Sequence, residues 1–303
     1  MGELLYWLLN MSIVASLAGL VILLLRRIKR LPRRWIAALW AIPFLRFWLP
    51  FGIGGKYSLM SLLSRFATKT LVVYERGPVG VTMTNSIQAA ETYFPITYQT
   101  DLLADVFRYA ALVWAILAAA LILAMTVLYL TTLTELRTAE PLYGNVVCSG
   151  KVVSPAVYGI LRPRIVLPAS CRDSEQLDLI LLHERRHIRR LDNLRRVLAF
   201  LTAALHWFNP LAWVFLKLYL SDVELACDES VLAGLPPDAR GRYAHALLDT
   251  AQSKTLFASA FGGARLRTRI EHILSFKKMT VLSAAAFGIL AAGIAYILLV
   301  NGR

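Results

Sequence analysis

Hydrophobic positions along the chain fall into two kinds of run. Residues 4–25, 108–130 and 280–300 are apolar almost without interruption. Each is as long as the about 20 residues that a helix, rising about 1.5 Å per residue, needs to cross a bilayer. A fourth run, 35–51, carries Pro43 and Arg46, but it follows the first after a short basic turn and reads as a span as well. Elsewhere the apolar positions are periodic. Within 57–73, Leu59, Leu62, Leu63 and Phe66 recur at i, i+3, i+4, i+7, which predicts an amphipathic helix lying in the membrane interface. Residues 145–153 and 158–167 read as two short strands around Ser154-Pro155, the prolines belonging at a strand edge or end. Beyond Asp173 or Ser174, either of which can cap, Leu177, Ile180, Leu181 and Glu184 follow at helical spacing.

The stretch 197–220 is apolar enough to pass as a further span, yet its middle reads His206-Trp207-Phe208-Asn209-Pro210. Asn209 is a good N-cap and Pro210 a good first-turn residue, so a new helix starts there and neither half is long enough to cross. We therefore expect a helical hairpin over 197–220, folded back at Asn209-Pro210 and dipping into or lying on the inner membrane face.

Composition agrees with the pattern. Of 303 residues, 57% are hydrophobic and 17% charged, whereas soluble domains average about 45–50% and about 25%. That excludes a disordered chain and argues against an ordinary cytosolic enzyme. The net charge of +14 points first to nucleic acid, until its distribution is read. The turn 26–34 holds six Lys/Arg and no acid, 52–107 is neutral, and 131–279 has twenty basic against fourteen acidic residues. Positive segments face the cytoplasm. The expected class is thus a mainly α membrane protein of the bacterial inner membrane with four transmembrane helices and both termini outside. Its parts are an N-terminal transmembrane hairpin (1–51), an extracytoplasmic loop (52–107) and a third span (108–130). A cytoplasmic domain with a small β-sheet (131–279) precedes the fourth span and a short outer tail (280–303). The three cysteines, Cys148, Cys171 and Cys227, lie in the cytoplasmic segment, and they form neither a C-x-x-C pair nor a disulfide framework. We read them as small buried residues.

On the helix beyond Ser174 stands His183-Glu184-Arg185-Arg186-His187. Histidines at i and i+4 share one helix face, so both imidazoles can reach one divalent ion, and Glu184 beside them can act as general base on an activated water. Such a site needs a third protein ligand. Glu224 is the best candidate, with Asp228 one turn on to accept an imidazole N–H; alternatively Asp222, Glu224, Asp228 and Glu229 form a solvated acidic face. Asp192 can support a metal histidine or pair with Arg189, Arg195 or Arg196. His206 reads as a core histidine, His245 and His272 as surface residues, and Tyr219 and Tyr243 as oxyanion donors that no spacing supports. The arginines at 185, 186, 189, 190, 195 and 196 suit nucleic acid or anionic headgroups of the inner leaflet equally well.

With these pieces assembled, the chain resembles the BlaR/MecR-type antirepressor metallopeptidases, bacterial relatives of beta-lactam sensor-transducers. The resemblance rests on Ser154-Pro155 through Gly159-Ile160-Leu161-Arg162-Pro163-Arg164-Ile165-Val166-Leu167-Pro168, on the His183–His187 motif with Asp192, on His206-Trp207-Phe208-Asn209-Pro210-Leu211, and on Glu224-Leu225-Ala226-Cys227-Asp228-Glu229. It implies a gluzincin-like membrane zinc peptidase holding one Zn2+ on His183, His187 and Glu224, with Glu184 as catalytic acid/base and Asp228 in support. It further implies that Ile160, Leu161, Arg162, Ile165 and Val166 offer a strand edge to which substrate adds. The expected partners are a cytoplasmic protein substrate, a transcriptional repressor, together with the lipid bilayer and a second copy in a homodimer, and no direct nucleic-acid contact. The analogy also implies self-cleavage within 253–264. The sensor-transducers carry a penicillin-binding domain beyond the last span; residues 301–303 and the outer loop show no Ser-x-x-Lys motif, so beta-lactam sensing by these residues is not expected. A membrane quality-control protease and a non-catalytic signalling scaffold are the competing readings.

Overall fold

The structure is a computed structural model that describes residues 2–28, 31–49, 53–54, 101–172, 174–251, 266–276 and 280–301. The expected interface helix over 57–73 and the cleavage segment 253–264 lie outside the described residues. Among the described residues, three helices are long and apolar enough to cross a membrane: α1 (Gly2–Arg26), α4 (Asp101–Glu135) and α10 (Val281–Leu299). The outer flanks of α4 and α10 leave Ile116, Leu123, Val281 and Ile289 exposed, as a face turned to lipid does. The run 35–51 is not one helix. It divides at Trp40 into α2 (Arg33–Leu39) and α3 (Ala41–Trp48). Pro43 falls in the first turn of α3, where its missing N–H costs nothing, and Arg46 is buried with its Nε donating to the Leu298 carbonyl, 3.0 Å away.

The chain reverses between two helices at 206–209. Helix α6 (Asp192–Leu205) ends before His206, and α7 (Pro210–Leu232) starts at Pro210, with the Asn209 side chain accepting from the Leu211 N–H at 2.9 Å. The first half of α7 is the centre of the largest core: Phe215, Leu216, Tyr219 and Val223 pack among Ala18 and Ile22 of α1 and Ile36 and Leu39 of α2. Gly19 permits this contact, because a Cβ there would come within 2.1 Å of the Phe215 ring. The second half of α7 emerges beside α5 (Leu177–Arg189), α8 (Ala239–Ala251) and α9 (Leu266–Leu274), where Val231, Leu232, Tyr243, Leu247 and Ile273 form a separate core.

Two short strands, β1 (Ile53–Gly54) and β6 (Val300–Asn301), pair in parallel. The other sheet has the order β2-β3-β5-β4, with β2 Glu140–Tyr143, β3 Val146–Ser149, β4 Ala156–Tyr158 and β5 Arg164–Pro168. This corrects the sequence reading in two ways. Residues 158–167 are not one strand, because Gly159 turns with φ 92° and Pro163 lacks the N–H that a ladder requires. Nor is β5 an edge: it pairs with β3 on one side and β4 on the other, with Ile165 and Val166 buried. Ile160, Leu161 and Arg162 sit in the β4–β5 turn. None of the five residues expected at a substrate edge lies on one; the sheet's edges are β2 and β4.

Candidate metal centre

Helix α5 presents His183 and His187 one turn apart, both buried, with their Nε2 atoms 3.1 Å from each other. Each ring is held from behind. Asp192 Oδ2 accepts from His187 Nδ1 at 2.8 Å. Asp192 reaches back because Leu191, between α5 and α6, takes a left-handed conformation with φ 55°. On the other ring, Tyr243 Oη lies 2.7 Å from His183 Nδ1 and 2.7 Å from Asp228 Oδ1. A carboxylate only accepts, so the phenol donates to Asp228 and accepts from the imidazole. Both Nδ1 atoms therefore carry the proton, and both Nε2 lone pairs face one point.

The chain reversal at 206–209 brings Glu224 to that point. Its carboxylate oxygens lie 3.9 Å from His183 Nε2 and 3.8 Å from His187 Nε2. Burial pushes the Glu224 carboxyl up, but His187, Arg269 and Arg196 outweigh it and hold the group well below the usual carboxylate range. Burial, then the neighbouring His187 and Arg269, push the pKa of His183 well below the ordinary value. Two lone pairs and a carboxylate converging on one spot suit a divalent cation, and bonding of each far ring nitrogen is the arrangement that fixes metal-binding histidines. Cys227 is the further donor within reach: its Sγ lies within 4.8 Å of the ligand atoms of both histidines. Its thiol points to the His183 carbonyl at 3.7 Å, and burial drives its pKa well above the ordinary thiol value, so it is the weaker third donor.

Glu184, beside His183, is buried, and burial pushes its carboxyl up. Among the described residues nothing hydrogen-bonds it, which leaves it free to exchange a proton.

Asp192 also meets arginines, with Arg190 Nε at 3.4 Å and Arg195 Nη1 at 3.7 Å. The solvated acidic face does not exist. Asp222 is buried against Arg26 (2.9 Å), Arg33 (3.5 Å) and Trp40 Nε1 (2.9 Å). Glu229 accepts the Arg33 and Arg34 backbone N–H groups at 2.8 and 3.0 Å, capping α2 from across the fold, and meets His272 Nε2 at 3.2 Å. His272 is thus a hydrogen-bond partner of Glu229 rather than a surface residue. His206 is a core histidine, 3.1 Å from the Phe47 carbonyl.

Three functional neighbours escaped sequence reasoning in their actual roles. Tyr243 supports a histidine. Arg269 grips Asp228 with two bonds of 2.7 and 2.8 Å and lies 3.3 Å from Glu224. Arg196 bonds Glu224 directly. No local spacing announces contacts spanning from 15 to 60 positions in the chain.

Known proteins resemble this chain over part of its length. The "Regulatory protein BlaR1" of Bacillus licheniformis is 30% identical over 124 residues, 40% of this chain and 21% of that protein. The "Methicillin resistance mecR1 protein" of Staphylococcus aureus is 28% identical over 103 residues, 33% of this chain and 18% of that protein. The matched segment therefore spans about a fifth of the length of these relatives. The sequence model described as BlaR1 peptidase M56 matches residues 6–273, most of the chain, including the paired histidines and the helix that faces them, and the chain belongs to that family.

Proposed function

We propose that the chain is a membrane-embedded zinc metalloendopeptidase that cleaves a cytoplasmic protein, a transcriptional repressor, in transmembrane signalling. The observation that carries this reading is the convergence of the two Nε2 lone pairs and the Glu224 carboxylate, with both Nδ1 protons held by Asp192 and by Tyr243 with Asp228. His183, His187 and Glu224 would hold the ion. When bound, it supplies Lewis acidity that activates a water and polarises the scissile carbonyl. Glu184 takes the proton from the attacking water and returns it to the leaving amine; its burial, which raises its pKa, makes it competent for both steps. Asp192 keeps the His187 proton on Nδ1 throughout, and the Tyr243–Asp228 pair does the same for His183, so neither ring turns its lone pair away.

In the same reading α2 and α3 together make the second of four spans, and the cationic turn 26–34 and the peptidase face the cytoplasm. The helices α6 and α7 form the hairpin at the inner membrane face. The repressor assignment draws on the likeness to BlaR1 and mecR1 proteins and on the cytoplasmic placement of the site.

The test is proteolysis in cells co-expressing the chain with a repressor encoded beside it. Glu184→Gln is expected to retain the metal and to lose cleavage by about 10²–10⁴-fold. Full cleavage by Glu184→Gln removes the general-base role, and cleavage of misfolded membrane proteins in place of a repressor transfers the site to quality control.

A further inference from the structure

A cavity of about 950 Å³ lies apart from the paired histidines, between α2–α3 on one side and α5, α6 and α7 on the other. Its two long walls have the same polarity. Along α2–α3 the lining runs from Arg34 through Ala38 and Ala41 to Phe44 and Trp48; along α6 it runs from Arg195 through Leu198 to Thr202. Trp48 Nε1 donates to Thr202 Oγ1 at 2.7 Å, so the far ends of the two walls meet. The cavity is therefore cationic at one end and apolar at the other.

Arg186 and Arg190 add to the cationic end. The acids near it are already engaged: Glu229 by two backbone N–H groups and His272, Asp192 by His187, Arg190 and Arg195. The cationic end also adjoins the start of α2, next to the turn 26–34 with its six Lys/Arg. That is the level at which anionic headgroups of the inner leaflet sit.

We infer that this cavity binds one anionic phospholipid, with its phosphate on Arg34, Arg186, Arg190 and Arg195 and an acyl chain along Ala41, Phe44 and Leu198. A soluble phosphate satisfies only the cationic end and leaves the apolar half to water; a zwitterionic lipid satisfies the apolar half but offsets its phosphate with its own cation. The run of six arginines thus divides. Arg186, Arg190 and Arg195 meet lipid, Arg196 holds Glu224, and Arg185 and Arg189 remain on the exposed surface.

The inference is independent of the peptidase reading, and its test reads binding alone. The full chain, purified in non-ionic detergent and delipidated, is titrated with phosphatidylglycerol, phosphatidylcholine of the same acyl chains, and glycerol 3-phosphate, and bound ligand is counted by native mass spectrometry. Phosphatidylglycerol is expected to bind selectively. Arg186→Gln and Arg34→Gln are each expected to weaken it about fivefold, and Arg186→Lys to restore most of the loss. Ala41→Phe, at a position exposed to the cavity, fills the apolar half and is expected to weaken the lipid with every arginine intact. Equal retention of phosphatidylcholine, or wild-type affinity in both Arg186→Gln and Ala41→Phe, overturns the inference. Competition by glycerol 3-phosphate at the affinity of the lipid overturns it too, in favour of a soluble anion.

Discussion

Helix α7 carries four carboxylates on two opposed faces, and the faces use the same chemistry to different ends. At 3.6 residues per turn, Asp222 and Glu229 fall within about 20° of each other, and Glu224 and Asp228 lie within about 40° on the opposite side. The first pair ties α7 to the entrance of α2. Asp222 clamps Arg26, Arg33 and Trp40, and Glu229 caps the first turn of α2. Each of these acids has its charge answered by protein groups. The second pair faces the histidines, where two lone pairs and a carboxylate converge and where Arg196 and Arg269 balance Glu224. One face is closed chemistry that holds the helix in place. The other is open chemistry that suits an ion and a substrate. A rigid helix joins them, so the position of the site is set by the clamp.

The contrast can be broken from either side. The largest expected effect is on the clamp: Asp222→Ala leaves Arg26 and Arg33 without their buried partner, which costs about 3–5 kcal/mol. Its thermal unfolding midpoint falls, and an unchanged midpoint would mean that the clamp does not hold α7. On the site face, Asp192→Ala frees the His187 ring and is expected to weaken metal binding about 10–100-fold, measured by competition with a chelator, with a small change in unfolding. A large stability loss with intact metal affinity would move Asp192 into the clamp class. The smallest effect concerns pH. Burial pushes Glu229 up, but the bonds from His272 and the Arg34 and Arg33 amides outweigh it and hold its pKa below the usual 4.5. A group held low in the folded state binds fewer protons there than when unfolded. Its stabilisation is therefore present above pH 4.5 and lost as pH falls through the folded value. Glu229→Gln is expected to lower stability at neutral pH and to flatten the acid limb of the stability profile; an unaltered acid limb counts against the cap.

Much of this was legible in the chain. The spacing of His183 and His187 needs only a helix to place both rings on one face, and Asn209-Pro210 needs only local capping to end one helix and start another. The reversal at that point is also what brings Glu224 to the histidines, a consequence of length and geometry. The less legible parts depend on partners far away in the chain. Whether Ile165 and Val166 sit at an edge is decided by which strands flank β5, and that pairing order leaves no mark on 160–167 itself. Asp222 and Glu229 look like any acidic helix face until Arg26 and Arg33 are packed against them, almost 200 positions earlier. Tyr243 and Arg269 enter the site from α8 and α9, whose sequences carry no metal-site spacing. The run 35–51 was apolar enough to read as one span, but Trp40 turns in to Asp222 and Phe215, and the helix divides there.

The central claim is that the open face of α7 supplies the third ligand, and metal content tests it most directly. Full-length wild type, Glu224→Ala and Cys227→Ser, purified in parallel and checked for intact unfolding transitions, are analysed for bound zinc. The account predicts about one ion per chain in wild type and Cys227→Ser and none in Glu224→Ala. Zinc retained by Glu224→Ala and lost from Cys227→Ser would contradict it, and would make the buried thiol the ligand in place of the carboxylate.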